Sequence, residues 1–206
     1  MHVKNQSGSQ FWYLNKKLHR LDGPAVIHSD GTQEWYILGK RHRENDPAYI
    51  SPHGTIAWYQ NNKLHREDGP AHIDATSTQR WYQNNKLHRT DGPAVIHASG
   101  TQLWYKNGKL HRKDGPAVIY QDGEQRWYKN GELHRTDGPA VIQQNGYKAW
   151  YKNGELHRKN GPAIIHSDDN LSWLNGISIC EISPNQEIKP KINLLTTLTT
   201  SIKDGF

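Results

Sequence analysis

The sequence predicts an all-β fold: an elongated, single-layer antiparallel meander of about eight tandem 23-residue β-hairpin repeats. Three observations predict it. The eight tryptophans, Trp12, Trp35, Trp58, Trp81, Trp104, Trp127, Trp150 and Trp173, stand 23 residues apart with no insertion between them, and a fixed period of this size marks an array whose units bury their apolar faces only against their neighbours. Each period carries two glycine-type turn signals, which implies two strands per repeat. The chain of 206 residues is only 33% hydrophobic yet holds 8 Trp and 10 Tyr. It is too polar for a thick layered core and too aromatic for disorder, which leaves thin aromatic packing.

Taken in order, residues 1–11 read as an N-terminal capping strand, because Gly8 precedes Trp12 as Gly31 precedes Trp35. Residues 12–172 hold seven repeats. Each opens with Trp-Tyr or its equivalent and turns at Asn-Gly (Asn107-Gly108, Asn130-Gly131, Asn153-Gly154). It continues through Leu-His-Arg and Asp-Gly-Pro-Ala, and turns again at pairs such as Asp30-Gly31, Ser99-Gly100, Asp122-Gly123 and Asn145-Gly146. Both turns are expected to be type I′, in which both central residues take positive φ. Proline offers no ladder donor, so Gly-Pro within the longer strand predicts a bulge or bend. An alternative with three sides per repeat is a parallel β-solenoid.

The second repeat has Leu38, Arg41, Asn45 and Asp46 where its sisters have Asn, Leu, Asp and Gly, and is expected to be locally looser. Residues 173–183 read as a capping hairpin and 184–206 as a C-terminal tail. Within that tail Ile192, Leu195, Leu198 and Ile202 have the spacing of a short helix, against which the threonines between them argue.

Composition narrows the functional classes. No run of 18 apolar residues exists to span a membrane, a single cysteine, Cys180, excludes an internal disulfide framework, and MHVKNQSGSQ lacks the apolar core of a signal peptide. The expectation is a cytoplasmic protein. A formal net charge of +6 with 13 histidines permits an acidic partner without specifying one. Mean hydropathy is -0.96.

At the Asn-Gly-Lys-Leu-His run and its period, over residues 8–176, the sequence resembles the MORN (membrane occupation and recognition nexus) repeats. The resemblance implies a single-layer meander of hairpins used as a scaffold, a dimerisation module or, in some members, a surface for anionic lipid or protein. The chain departs from that pattern in its Thr-Gln-x-Trp-Tyr strand and in His-Arg-x-Asp-Gly-Pro-Ala, and so looks like a variant class.

Three columns could carry chemistry. Adjacent Trp and Tyr side chains point to opposite faces of a strand, so Trp81, Trp104 and Trp127 could offer slots for sugars or quaternary cations, or could lie over the small residues of a neighbour, such as Gly115 and Ala117. The His-Arg column (His19-Arg20, His42-Arg43, His65-Arg66, His88-Arg89, His111-Arg112, His134-Arg135, His157-Arg158) suggests a basic stripe, extended by Lys106, Lys129 and Lys152. It also suggests an Arg-to-Asp ladder through Asp68, Asp91, Asp114 and Asp137, alongside Pro70, Pro93, Pro116 and Pro139. Equivalent histidines lie ~9.5 Å apart, twice the strand spacing, too far for two of them to share a zinc ion.

Every notable residue recurs in repeat after repeat, whereas an active site is one asymmetric constellation. The expectation is therefore a non-enzyme without cofactor or metal: a scaffold for another protein or for copies of itself. The alternative is a binding module for anionic lipid, nucleic acid or glycan.

Overall fold

The structure, a computed structural model, describes residues 2–166 and the backbone strands Leu171–Leu174 and Ile177–Cys180. The expected tail 184–206, its possible helix and the side chain of Cys180 lie outside the described residues. A 16-stranded sheet runs from His2–Gln6 to Ile164–Ile165 with its strands in chain order, and its two ends do not pair with each other. All its pairings are antiparallel, so the meander is the architecture and the three-sided parallel solenoid is not. No helix among the described residues is long and apolar enough to cross a membrane.

Each repeat has the two expected strands, but both are interrupted. Gln102–Leu103 pairs with Val95–Ile96 of its own repeat and with Val118–Ile119 of the next, building a continuous spine. Beyond Trp104, Tyr105–Lys106 pairs only with Lys109–Leu110, forming a separate two-stranded hairpin. The cause is the predicted bulge, which is wider than a single extra residue. Leu103 faces Val118 and Tyr105 faces Leu110, so the return strand spends residues 111–117 opposite Trp104 alone. The tryptophan backbone closes both ends of this excursion: its N–H donates to Ala117 at 2.8 Å and its carbonyl accepts from His111 at 3.0 Å.

The turns divide into two kinds. In the first, both central residues take positive φ as a type I′ turn requires, for example Asn107 at 53° and Gly108 at 81°. The expectation that the second turn is also type I′ is corrected by the structure. At residues 28–32 only Gly31 has positive φ (88°). The Gly31 N–H donates to the His28 carbonyl and the His28 N–H to the Thr32 carbonyl, each at 2.9 Å. That is a three-residue loop, a type I turn closed by a left-handed glycine. Asp30 favours it because its carboxylate accepts the Thr32 N–H at 2.8 Å.

What is buried is small. The alanine after each proline (Ala25, Ala48, Ala71, Ala94, Ala117, Ala140, Ala163) is 0% exposed, and the carbonyl of each accepts the tryptophan N–H of its own repeat. Val26, Val95, Val118 and Val141 are buried beside these alanines. With cores this thin, stability has to come from stacking one repeat on the next.

At the N-terminal end the expected single capping strand is a full hairpin, His2–Gln6 paired with Ser9–Leu14 through Ser7 and Gly8. At the other end, Leu171–Leu174 pairs with Ile177–Cys180, overlapping the span 173–183 expected to cap the array and starting two residues before it.

Candidate interaction face

The His-Arg-x-Asp-Gly-Pro signature builds one device in each repeat. The guanidinium carbon of Arg112 sits 4.0 Å from the centroid of the Trp104 ring, and Nη1 donates to the Pro116 carbonyl at 3.2 Å. The same contact recurs from Arg20 over Trp12 at 4.3 Å to Arg158 over Trp150 at 3.8 Å, through Arg43, Arg66, Arg89 and Arg135. The proline carbonyl bond recurs with it, including those to Pro70, Pro93 and Pro139. The glycine is bare because the guanidinium lies against it: a Cβ on Gly69 would come within 2.9 Å of the Arg66 guanidinium carbon. At Gly115 the contact differs from the stacking of a ring expected there. Arg112 covers Trp104, and Gly115 lies against that same guanidinium.

The Arg-to-Asp ladder is real but incomplete. Arg66–Asp68 and Arg89–Asp91 bond at 2.8 Å and Arg135–Asp137 at 3.0 Å, and each bond holds its carboxyl below the usual range. Asp114, by contrast, makes no ion pair with Arg112 among the described residues, so at that repeat the ring and the proline carbonyl hold the arginine without a carboxylate. The arginines of the expected basic stripe are therefore committed within their own repeats. The ring face beneath each guanidinium is likewise closed to a stacked sugar or cation.

The histidines link one repeat to the next. Nδ1 of His19, His42, His65, His88, His111 and His134 accepts the backbone N–H of the turn residue 19 positions on (Leu38, Asn61, Asn84, Asn107, Asn130, Asn153) at 3.1–3.3 Å. At His88 the Asn107 Oδ1 also lies 2.9 Å from Nδ1. An accepting Nδ1 puts the proton of a neutral imidazole on Nε2. Backbone bonds reinforce the link: the Gly108 N–H donates to Leu87 at 2.8 Å and the Arg89 N–H to Tyr105 at 3.3 Å. The hairpins thus form a second hydrogen-bonded row beside the spine. Among the described residues no group of three or more metal-ligating side chains comes together.

Between consecutive repeats this face is scored by grooves. One, of about 400 Å³, runs between Arg66–Pro70 and Arg89–Asp91 over Trp81, Gln83 and His88. A second, of about 510 Å³, runs between His111–Gly115 and Arg135–Asp137 over Trp127, Lys129 and His134. Their position is the same in register, and only the residues at variable positions differ.

The second repeat departs from the pattern in the direction opposite to the one expected. Arg41 replaces the leucine of its sisters and lies over Tyr36, Tyr49 and Tyr59 at 5.5, 5.5 and 4.9 Å. It forms an ion pair with Glu34, which also accepts from Tyr36 at 2.6 Å and meets His28 Nε2 at 3.1 Å. Burial pushes the Glu34 carboxyl up, but the bonds from Tyr36, Arg41 and His28 outweigh it and hold the group below its ordinary range. The irregular repeat thus holds a polar knot of four side chains rather than a loose place.

Fold and face together define a tandem-hairpin repeat protein with an open sheet and one periodically grooved side. No family model matches the chain, and no curated protein matches it.

Proposed function

We propose that this chain is a non-catalytic, MORN-like repeat scaffold that binds another protein along its grooved face. The observation that carries the reading is the recurrence of a groove of the same build between consecutive repeats. Its walls are pre-set by Arg–Trp, Arg–Pro and His–turn contacts, so a partner that spans several grooves meets a surface already ordered. Residues made alike in every repeat suit avidity rather than one chemical step. A cytoplasmic location fits a chain with one cysteine. A photo-crosslinking residue at Gln83 or Thr136, in the grooves, should label polypeptide in a mixture of protein, vesicle, nucleic-acid and glycan probes. Label confined to lipid, nucleic acid or glycan would replace the scaffold with a binding module for that class.

A second reading, association of copies, is favoured by the outermost strand His2–Gln6, which is exposed along its whole length and paired on one side only. Such an edge invites strand addition. Mass by light scattering should rise with concentration, and a proline at Asn5, whose N–H faces the open edge while Lys4 is bonded to Phe11, should abolish the rise; a constant monomer mass would remove this reading.

A further inference from the structure

Positive charge on this molecule is unevenly placed and partly unused. Residues 84–165 hold 13 Lys and Arg against 7 Asp and Glu, whereas residues 1–83 hold 10 against 8. Among the described residues the ion pairs use arginine or histidine as the cation and leave the lysines out. In one hairpin two lysines stand directly opposite each other, Lys106 against Lys109. Like charges so placed destabilise a hairpin unless an anion comes between them.

The histidine column shows where an anion sits. At His65 the Nε2 edge lies 3.7 Å from the Glu67 carboxylate, two residues on. The equivalent position in the following repeats is Thr90, Lys113 and Thr136. His88, His111 and His134 thus keep the same ring orientation, set by the same Nδ1 bond, without that internal carboxylate. All three line the grooves, with Lys113 and Lys129 beside two of them.

Spacing then selects the partner. Equivalent side chains of consecutive repeats, the three histidines among them, stand two strand spacings apart, about 9.4–9.8 Å. A peptide in extended β conformation returns its side chains to one face every second residue, at about 6.6–6.8 Å, which is out of step. A polyproline II helix returns them every third residue, at about 9.3 Å, which is in step over several grooves. Resting on the scaffold reading above, the geometry points to a proline-rich acidic segment in polyproline II conformation, with a carboxylate at every third residue. One carboxylate faces each of His88, His111 and His134, the first in one groove and the other two on opposite walls of the second, the lysines flank them, and the prolines lie on the exposed edges of Trp81 and Trp127.

The test uses three labelled peptides of equal charge and the full chain: (Glu-Pro-Pro)8, (Glu-Pro)8 with the wrong period, and (Glu-Gly-Ser)8 with the right period but no stiffness. Fluorescence anisotropy at near-physiological salt should show the first binding at least tenfold tighter than either control. Its affinity should climb as triplets are added from two to four, and K106Q/K129Q should weaken it about tenfold while the circular dichroism melt is unchanged or raised. Equal affinity for the three peptides would reduce the surface to unspecific charge and overturn the proposal. Preference for oligo(dT) or anionic vesicles over all three peptides would overturn it as well. If no peptide binds while the groove crosslinkers still label polypeptide, the polyproline partner is refuted and the scaffold reading stands.

Discussion

Removing a single clamp, by Arg89→Ala, tests whether the arginine column is structure or ligand surface. The guanidinium lies 4.1 Å over Trp81 and donates to Pro93 at 3.3 Å, and its side chain is 23% exposed. A partly desolvated cation–π contact is worth about 1 kcal/mol, and a charged donor to a carbonyl about 1.5 kcal/mol once the stranded acceptor is counted. The bond to Asp91 faces solvent and is left out of the figure. The expected cost is about 2–3 kcal/mol, read from urea unfolding of the full array. Because the loss is local, amide exchange should accelerate in the repeats containing Trp81 and Trp104 and stay unchanged near Trp12. Arg89→Lys should recover only part of the loss, since an ammonium cannot stack on the ring and reach the carbonyl together. A cost under about 0.5 kcal/mol, with partner binding lost instead, would refute the clamp and return the arginines to the binding surface.

Three further outcomes follow from the same structure. Gly69→Ala places a Cβ within 2.9 Å of the Arg66 guanidinium carbon and should lower stability by about 1–2 kcal/mol; the double variant with Arg66→Ala should cost little more than Arg66→Ala alone, and simple additivity would show that the two do not touch. Leu38 is 52% exposed and held at a φ of 48°, a region that asparagine tolerates far better than leucine, so Leu38→Asn should raise stability by about 0.5–1 kcal/mol in thermal melts. With pH, Arg66, Arg89 and Arg135 hold Asp68, Asp91 and Asp137 below their ordinary value, and bonds from Thr76 and Arg80 do the same for Asp74. Burial lowers His72. All of these are depressed in the fold, so their stabilisation is complete above the unfolded values and lost as pH falls. The melting temperature should be flat above pH ~7, dip slightly below ~6.5 as His72 charges, and fall steeply below ~4; a melting temperature that rises on acidification would reverse the sign of the argument.

The meander and its first turn could be read from the chain because both depend on local rules: a period, and an Asn-Gly pair whose φ values only a few residues accept. What escaped was set by partners distant in sequence. Same-strand spacing paired Arg112 with Asp114, but the ring that holds Arg112 is Trp104, on the outgoing strand across the bulge. That bulge was under-read because Gly-Pro signals a break without revealing its width. The histidine link was hidden for a similar reason, since its acceptor role appears only when the next hairpin is laid alongside. A signal for it did exist: a histidine in each of the seven repeats, with a turn residue 19 positions after each of the six from His19 to His134. The substitution of leucine by Arg41 was visible too, but three tyrosines from different strands had to converge before it became an anchor rather than a flaw.

The interruption of every strand has a mechanical consequence. Each repeat is joined to the next by a spine ladder only two residue pairs long and by a few lateral bonds between hairpins, and the spine strands lie across the long axis. A pull on the two ends therefore loads one short ladder at a time and peels it open, instead of shearing many bonds at once. Under tension the array should yield at low force and in steps, each releasing one 23-residue unit, about 80 Å of extended chain. Built this way, the molecule is stiff enough to hold a partner in register and still gives way gradually, lengthening repeat by repeat like a fastener made to be undone.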